Sequence, residues 1–206
     1  MRNVPYEVVD VFTTTRFGGN PLAVITDARG LDDRLMQQIA REFGFSETTF
    51  VLPPEHPRHT ARVRIFTPTA EVPFAGHPNV GTAFVLARLG AAFFGRALGD
   101  DLVFEEAAGL VAVTILRAGG AVTGAAITAP RPLELGPEVA AETVAACVSL
   151  APEDVALSAH APCFVSVGLP FVAAELASRA ALARARPNLD RFIEADAALP
   201  GQTALS

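Results

Sequence analysis

The sequence predicts an α+β chain in which a sheet curls round one enclosed helix, and three observations carry that expectation. The segment 78–89, PNVGTAFVLARL, leaves almost no polar face, so a helix there has to be surrounded. Around it lie short strand-like runs separated by glycine, proline and asparagine. Beyond Ala118-Gly119-Gly120 a similar plan begins again, which divides the 206 residues into domains at 1–117 and 118–206.

Residues 6–13 read as a strand, RFGGNP at 16–21 as a turn, and LAVIT at 22–26 as a second strand. Leu31, Leu35, Met36, Ile39 and Phe43 have near-helical spacing, Asp32 and Asp33 suit the positive end of that helix, and Gly44 stops it. Residues 48–52 form a strand, and 61–67 another, with Val63 and Ile65 opposite Arg62, Arg64 and Phe66. After the enclosed helix, 102–116 reads as two strands joined around Ala108-Gly109. The second half offers a strand at 122–128, a helix at 139–148, strands at 163–168 and 171–176, and a helix at 187–198. It has no apolar helix to match 78–89, so the second domain is expected to be incomplete.

Composition removes several chemistries. All sixteen basic residues are arginine, and with no lysine there is no Schiff-base chemistry of the pyridoxal or class I aldolase kind. The same absence decides against a nucleotide loop: Gly76 and Gly81-Thr82 have P-loop spacing, but the phosphate-binding lysine is missing. No G-x-G-x-x-G occurs, and a net charge of −6 without a basic stripe argues against nucleic acid. The N-terminus reads as a strand rather than a signal peptide, and apolar runs fall well short of the ~20 residues of a membrane span. A cytoplasmic protein with no membrane partner is expected. Cys147 and Cys163 are too few for a disulfide framework and read as small buried hydrophobes.

Five places could carry chemistry. Glu47, between Ser46 and Thr48 and near Phe45 and Phe50, is either a solvated acid in a helix-to-strand turn or a partly desolvated carboxylate able to take up a proton. His77 either caps a turn or holds a ligand, because the amides of Gly76, His77 and Asn79 open a helix whose positive end favours a carboxylate. Asn20, after two glycines, is a turn residue or a polar finger into the same place. His56 and His59 form an H-x-x-H pair among prolines, which reads as an exposed loop rather than a zinc site. Ser46 in G-F-S-E-T misses the nucleophile elbow G-x-S-x-G and follows a helix where that motif follows a strand.

Three segments in order, VDVFTTTRFGGNPLAVI, MQQIAREFGFSETTFVL and VRIFTPTAEVPFAGHPNVGTA, resemble the PhzF-like family of phenazine-biosynthesis isomerases, and CFVSVGLPFVAAEL resembles its second half. The resemblance implies the diaminopimelate epimerase-like fold: two pseudo-symmetric domains, each a curled, mostly antiparallel sheet round a central helix, with the active site between them. It implies Glu47 as the catalytic acid/base, and His77, Gly76, Asn20 and Ser46 as substrate-binding residues. The implied reaction is a cofactor-independent isomerisation that moves a proton within a small cyclic or amino-acid-like carboxylate. No metal is expected, and a homodimer is the expected assembly. Epimerases of this fold use two thiols, one just before the first central helix, where this chain has Phe74-Ala75-Gly76-His77. Family members open the second central helix with a motif like D-P-[AV]-T-G-S-A, and the 206 residues contain none. A catalytically inactive fragment or binding protein of the same fold, and a serine hydrolase built on Ser46, are the alternatives.

Overall fold

Residues 3–89, 95, 98–167 and 170–199 are described by the computed structural model. Close contacts divide the chain into two units, Met1–Arg131 and Pro132–Ser206. The first unit is one sheet built from β1 (Tyr6–Val11), β2 (Asn20–Ile25), β3 (Thr48–Leu52), β4 (Ala61–Phe66), β5 (Glu71–Val72), β6 (Asp101–Glu106), β7 (Gly109–Ala118) and β8 (Ala121–Thr128). The order is β1-β2-β3-β4-β6-β7-β8, with β5 alongside β4. Two ladders are parallel, β2 with β3 and β4 with β6. Parallel neighbours need a crossover, and each crossover supplies a helix: α1 (Asp33–Phe43) and α2 (Gly76–Leu89).

The helices take opposite faces of the sheet. Asp32 caps α1 by accepting the Leu35 N–H, and Gly44 ends it at φ 65°, a left-handed position that suits glycine. Met36 and Ala40 then pack on Ile25, Phe50 and Phe66. On the other face α2 touches β1, β2 and β3 as well as β7 and β8. One helix can meet both edge strands only if the sheet curls round it, as the apolar pattern of 78–89 requires. Gly81 marks the closest approach: a Cβ there would lie 2.5 Å from Leu22 Cδ2 and 2.8 Å from Val11 Cγ2. A side chain would push the helix off the sheet.

The strand expected to open the second domain belongs to the first unit. Gly119 and Gly120 both have positive φ, 57° and 82°, and Ala118 pairs with Ala121. Such a pair of glycines makes a two-residue hairpin turn. The Ala118-Gly119-Gly120 step is therefore a hairpin, and the contacts thin out later, between Arg131 and Pro132.

In the second unit β11 (Cys163–Ser166) lies between β9 (Glu134–Glu138) and β12 (Pro170–Ala173), and β10 (Val155–Ala156) pairs with β13 (Glu175–Leu176). The single strand predicted at 171–176 is thus split between two sheets, and residue 168 of the preceding strand lies outside the described residues. β9 was not anticipated, because Gly136 and Pro137 mask a strand exposed along its whole length. Helices α3 (Ala141–Cys147), α4 (Arg179–Arg184) and α5 (Leu189–Ala198) complete the unit. Asn188 N–H donates to the Cys147 carbonyl at 2.8 Å, tying the start of α5 to the end of α3. Among the described residues of this unit no helix has the all-round burial of α2, and no described helix of the chain is long and apolar enough to cross a membrane.

Candidate active site

Parallel pairing sets up the site. With Ala23 opposite Thr48 in the β2–β3 ladder, the residues leading into the two strands emerge at the same end of the sheet. Asn20-Pro21 and Ser46-Glu47 become neighbours, and Ser46 Oγ donates to Asn20 Oδ1 at 3.3 Å. The Asn20 loop lies close on β1: a Cβ at Gly19 would stand 2.4 Å from the Val11 carbonyl oxygen, so only glycine fits. Phe17 N–H is held by the Asp10 carboxylate at 2.9 Å.

The start of α2 arrives at the same place. Thr49 and Thr82 share a buried hydrogen bond of 2.8 Å that fixes α2 to β3 just beyond Glu47. His77 Nδ1 lies 3.4 Å from Glu47 Oε2, with the two side chains 9% and 20% exposed. Burial pushes the imidazole below the ordinary histidine range, while the Glu47 charge and the Pro21 carbonyl pull it upward without prevailing. His77 is therefore neutral at pH 7. Since Nδ1 faces a carboxylate, the ring proton belongs on Nδ1, which leaves Nε2 as an acceptor.

Among the described residues His77 Nε2 has no hydrogen-bond partner, and Glu47 Oε2 has only the 3.4 Å approach of His77 Nδ1, which falls short of hydrogen-bond geometry; both atoms are buried. Buried polar atoms are seldom left so, and an acceptor on each of two touching side chains is what a small ligand with donor groups would fill. No acidic residue stands in the first turn of α2, so its N-terminal amides keep their attraction for an anion. Nothing lies within 4 Å of where a Cβ of Gly76 would be, so the space beside that amide is open.

Glu47 and His77 thus touch, Ser46 and Asn20 touch, and Pro21 links the two pairs at the opening of α2 beside Gly76. The Ser46 hydroxyl is engaged by an amide oxygen, and the one imidazole in the group faces Glu47 instead. His59 is more than a loop residue: its Nδ1 meets Glu105 Oε1 at 2.7 Å, and Glu105 also accepts the N–H groups of Glu55 and His56. Cys147 and Cys163 are free thiols, the former buried and the latter half-buried.

Three features escaped the sequence reading. The Thr49–Thr82 bond joins residues 33 apart and has no local signal. Asn79, noted in the sequence only for its backbone amide, has a fully buried polar side chain in the first turn of α2. Glu106 could have been found by parity, since it shares a strand face with the core residues Leu102 and Phe104.

Residues 9–202 match the family described as phenazine biosynthesis-like protein. An uncharacterised isomerase of Mesorhizobium japonicum is 44% identical over 188 residues, 90% of this chain and 60% of its own length. A trans-2,3-dihydro-3-hydroxyanthranilate isomerase of Pseudomonas chlororaphis is 38% identical over 172 residues, 82% of this chain and 58% of its own length. The chain thus spans somewhat under two thirds of these relatives. Among solved structures, a protein of Pseudomonas aeruginosa described as a predicted epimerase superposes with a TM-score of 0.78 at 37% identity, over 96% of this chain and 67% of that one.

Proposed function

Because the chain belongs to the phenazine biosynthesis-like family, we propose that its site is the acid/base part of an isomerase that moves a proton within a small carboxylate. The observation that carries this reading is the contact between Glu47 and His77, each with a buried acceptor atom that lacks a partner. The Glu47 carboxylate removes a proton from an sp3 carbon, and the C–H electron pair passes into the adjoining unsaturated system. The resulting Glu47 acid returns the proton to another carbon of that system. Neutral His77 accepts a hydrogen bond from a hydroxyl or amine of the substrate through Nε2, and the amides at Gly76 and His77 hold its carboxylate. Glutamate alone can run this transfer, so the reading calls for no metal, nucleotide, flavin or pyridoxal phosphate.

The compound to try first is trans-2,3-dihydro-3-hydroxyanthranilate, which the Pseudomonas chlororaphis relative is named for. It is a cyclic carboxylate with a ring amine and a hydroxyl, the donors that Nε2 lacks. Glu47→Gln keeps the shape but cannot take a proton, so turnover should fall by about 10²–10⁴-fold with little change in affinity. In D2O the product should gain deuterium at the carbon that receives the proton. Near-normal turnover in Glu47→Gln, together with a dead Ser46→Ala, would replace the isomerase by a hydrolase. Ligand binding with no turnover by the unaltered chain would make it a binding protein of the same fold.

A further inference from the structure

Glu106 has no part in the chemistry above. Alternation along β6 puts it on the same face as Leu102 and Phe104, which are 2% and 0% exposed, so it is the carboxyl of an otherwise apolar row. Both its oxygens are buried, and among the described residues neither has a hydrogen-bond partner. Beside it stands Asn79, from the first turn of α2. Asn79 Nδ2 donates to the Ala75 carbonyl at 3.0 Å, while its Oδ1 is buried without a partner. An ionised carboxylate offers acceptors only and cannot serve Asn79 Oδ1. A carboxylic acid has the missing O–H donor.

We propose that Glu106 is a positioning residue which, in its protonated form, shares its O–H with Asn79 and so fixes the turn that carries Ala75, Gly76 and His77. Burial pushes Glu106 up to about 8, against a smaller opposing pull from the Asn79 amide. The charged groups on the surrounding elements are already engaged. Glu105 is bonded to His59, Arg62 to Glu55, and Arg64 to Asp33 and Glu71. On α2 the first turn has no acid, and His77 is neutral. Desolvation therefore sets the state of Glu106. Above about pH 8 the proton leaves, the O–H donor is lost, and the first turn of α2 loosens.

The sign of the linkage follows. The folded chain keeps a proton on Glu106 that the unfolded chain has lost, so stability is greatest below the ordinary glutamate value and declines as pH rises to about 8. The bearing on catalysis rests on the proton-transfer reading, but the titration needs no substrate, so the two can fail separately. The test uses the 206-residue chain labelled with 13C at glutamate side-chain carboxyls and histidine rings, followed by NMR from pH 5 to 10. One glutamate carboxyl should titrate near pH 8, and the His77 ring resonances should move with the same midpoint. Glu106→Gln should abolish both changes, and its melting temperature should gain on the parent's as pH rises from 5 to 9. Glu47→Gln should keep them. The proposal is overturned if every glutamate titrates below about pH 6, or if a His77 movement centred near pH 8 survives in Glu106→Gln. It is overturned equally if the variant's melting temperature differs by a constant amount at every pH. Should Glu106→Gln fail to fold, the midpoint of the outlying carboxyl in the unaltered chain still decides.

Discussion

Burial sets His77 below the ordinary histidine range even though Glu47 and the Pro21 carbonyl pull the other way. The unfolded chain then takes up a proton at a higher pH than the folded chain does, so the His77 contribution to stability is complete above about pH 6.5 and is lost as the pH falls below it. Ring titration should show a midpoint below the ordinary histidine value of about 6.5, and His77→Asn should flatten the acid side of the stability curve. Function should follow the same group. An acceptor at Nε2 binds a donor, so acidification that protonates the ring should weaken affinity before the chain unfolds. A His77 midpoint at or above 6.5 would remove the neutral acceptor and with it this account of binding.

At the scale of elements, two single-residue changes separate stability from site geometry. Asp32 caps α1, which lies on the face of the sheet away from α2, through a 2.8 Å bond to Leu35 N–H. Asp32→Ala should cost about 1 kcal/mol, which lowers the melting temperature by about 2–4 °C for a chain of this size, and should leave ligand affinity unchanged. A Cβ at Gly19 would meet the Val11 carbonyl oxygen at 2.4 Å and Thr13 Cγ2 at 2.6 Å. Backbone cannot yield as a flexible side chain can, so Gly19→Ala should displace the loop that carries Asn20 and weaken binding as well as stability. Equal affinity losses in the two variants, measured by calorimetric titration, would show that Asn20 is not placed by this loop.

Over the whole molecule, the two units cover their apolar faces unequally. In the first, α2 is wrapped by strands from both edges of the sheet. In the second, Leu135, Val165 and Phe171 stand opposite one another across β9, β11 and β12 and so share a face, yet Leu135 and Phe171 are 73% and 57% exposed. Leu189 and Ile193 of α5 are exposed as well. Soluble monomers seldom leave contiguous apolar surface of more than a few hundred Å² uncovered. The 206-residue chain by itself should therefore bind ANS and self-associate in sedimentation, and Leu135→Ser with Phe171→Ser should reduce both. A monodisperse monomer with no ANS signal would show that this face is covered.

What the sequence determined by itself was mostly local. The caps of α1, the strand Thr48–Leu52 and the all-round apolar run of α2 depend on near neighbours and periodicity, so they could be read before any contact was known. Glu47, His77, Gly76, Asn20 and Ser46 were legible as candidates because each stands beside turn or cap residues with few other uses. Their convergence was implied by the family resemblance and was not legible in the local sequence. It depends on the parallel register of β2 against β3, on the bond from Thr49 to Thr82, and on the entry of α2 at the same end of the sheet, all set by residues more than 20 apart. The hairpin at Gly119-Gly120 was misread as a seam because paired glycines mark a tight turn and a linker alike, and only strand pairing tells them apart. Glu106 and Asn79 show the limit most clearly. A carboxyl in a strand reads as solvated until tertiary packing takes its water away, and the loss of that water decides whether it holds a proton.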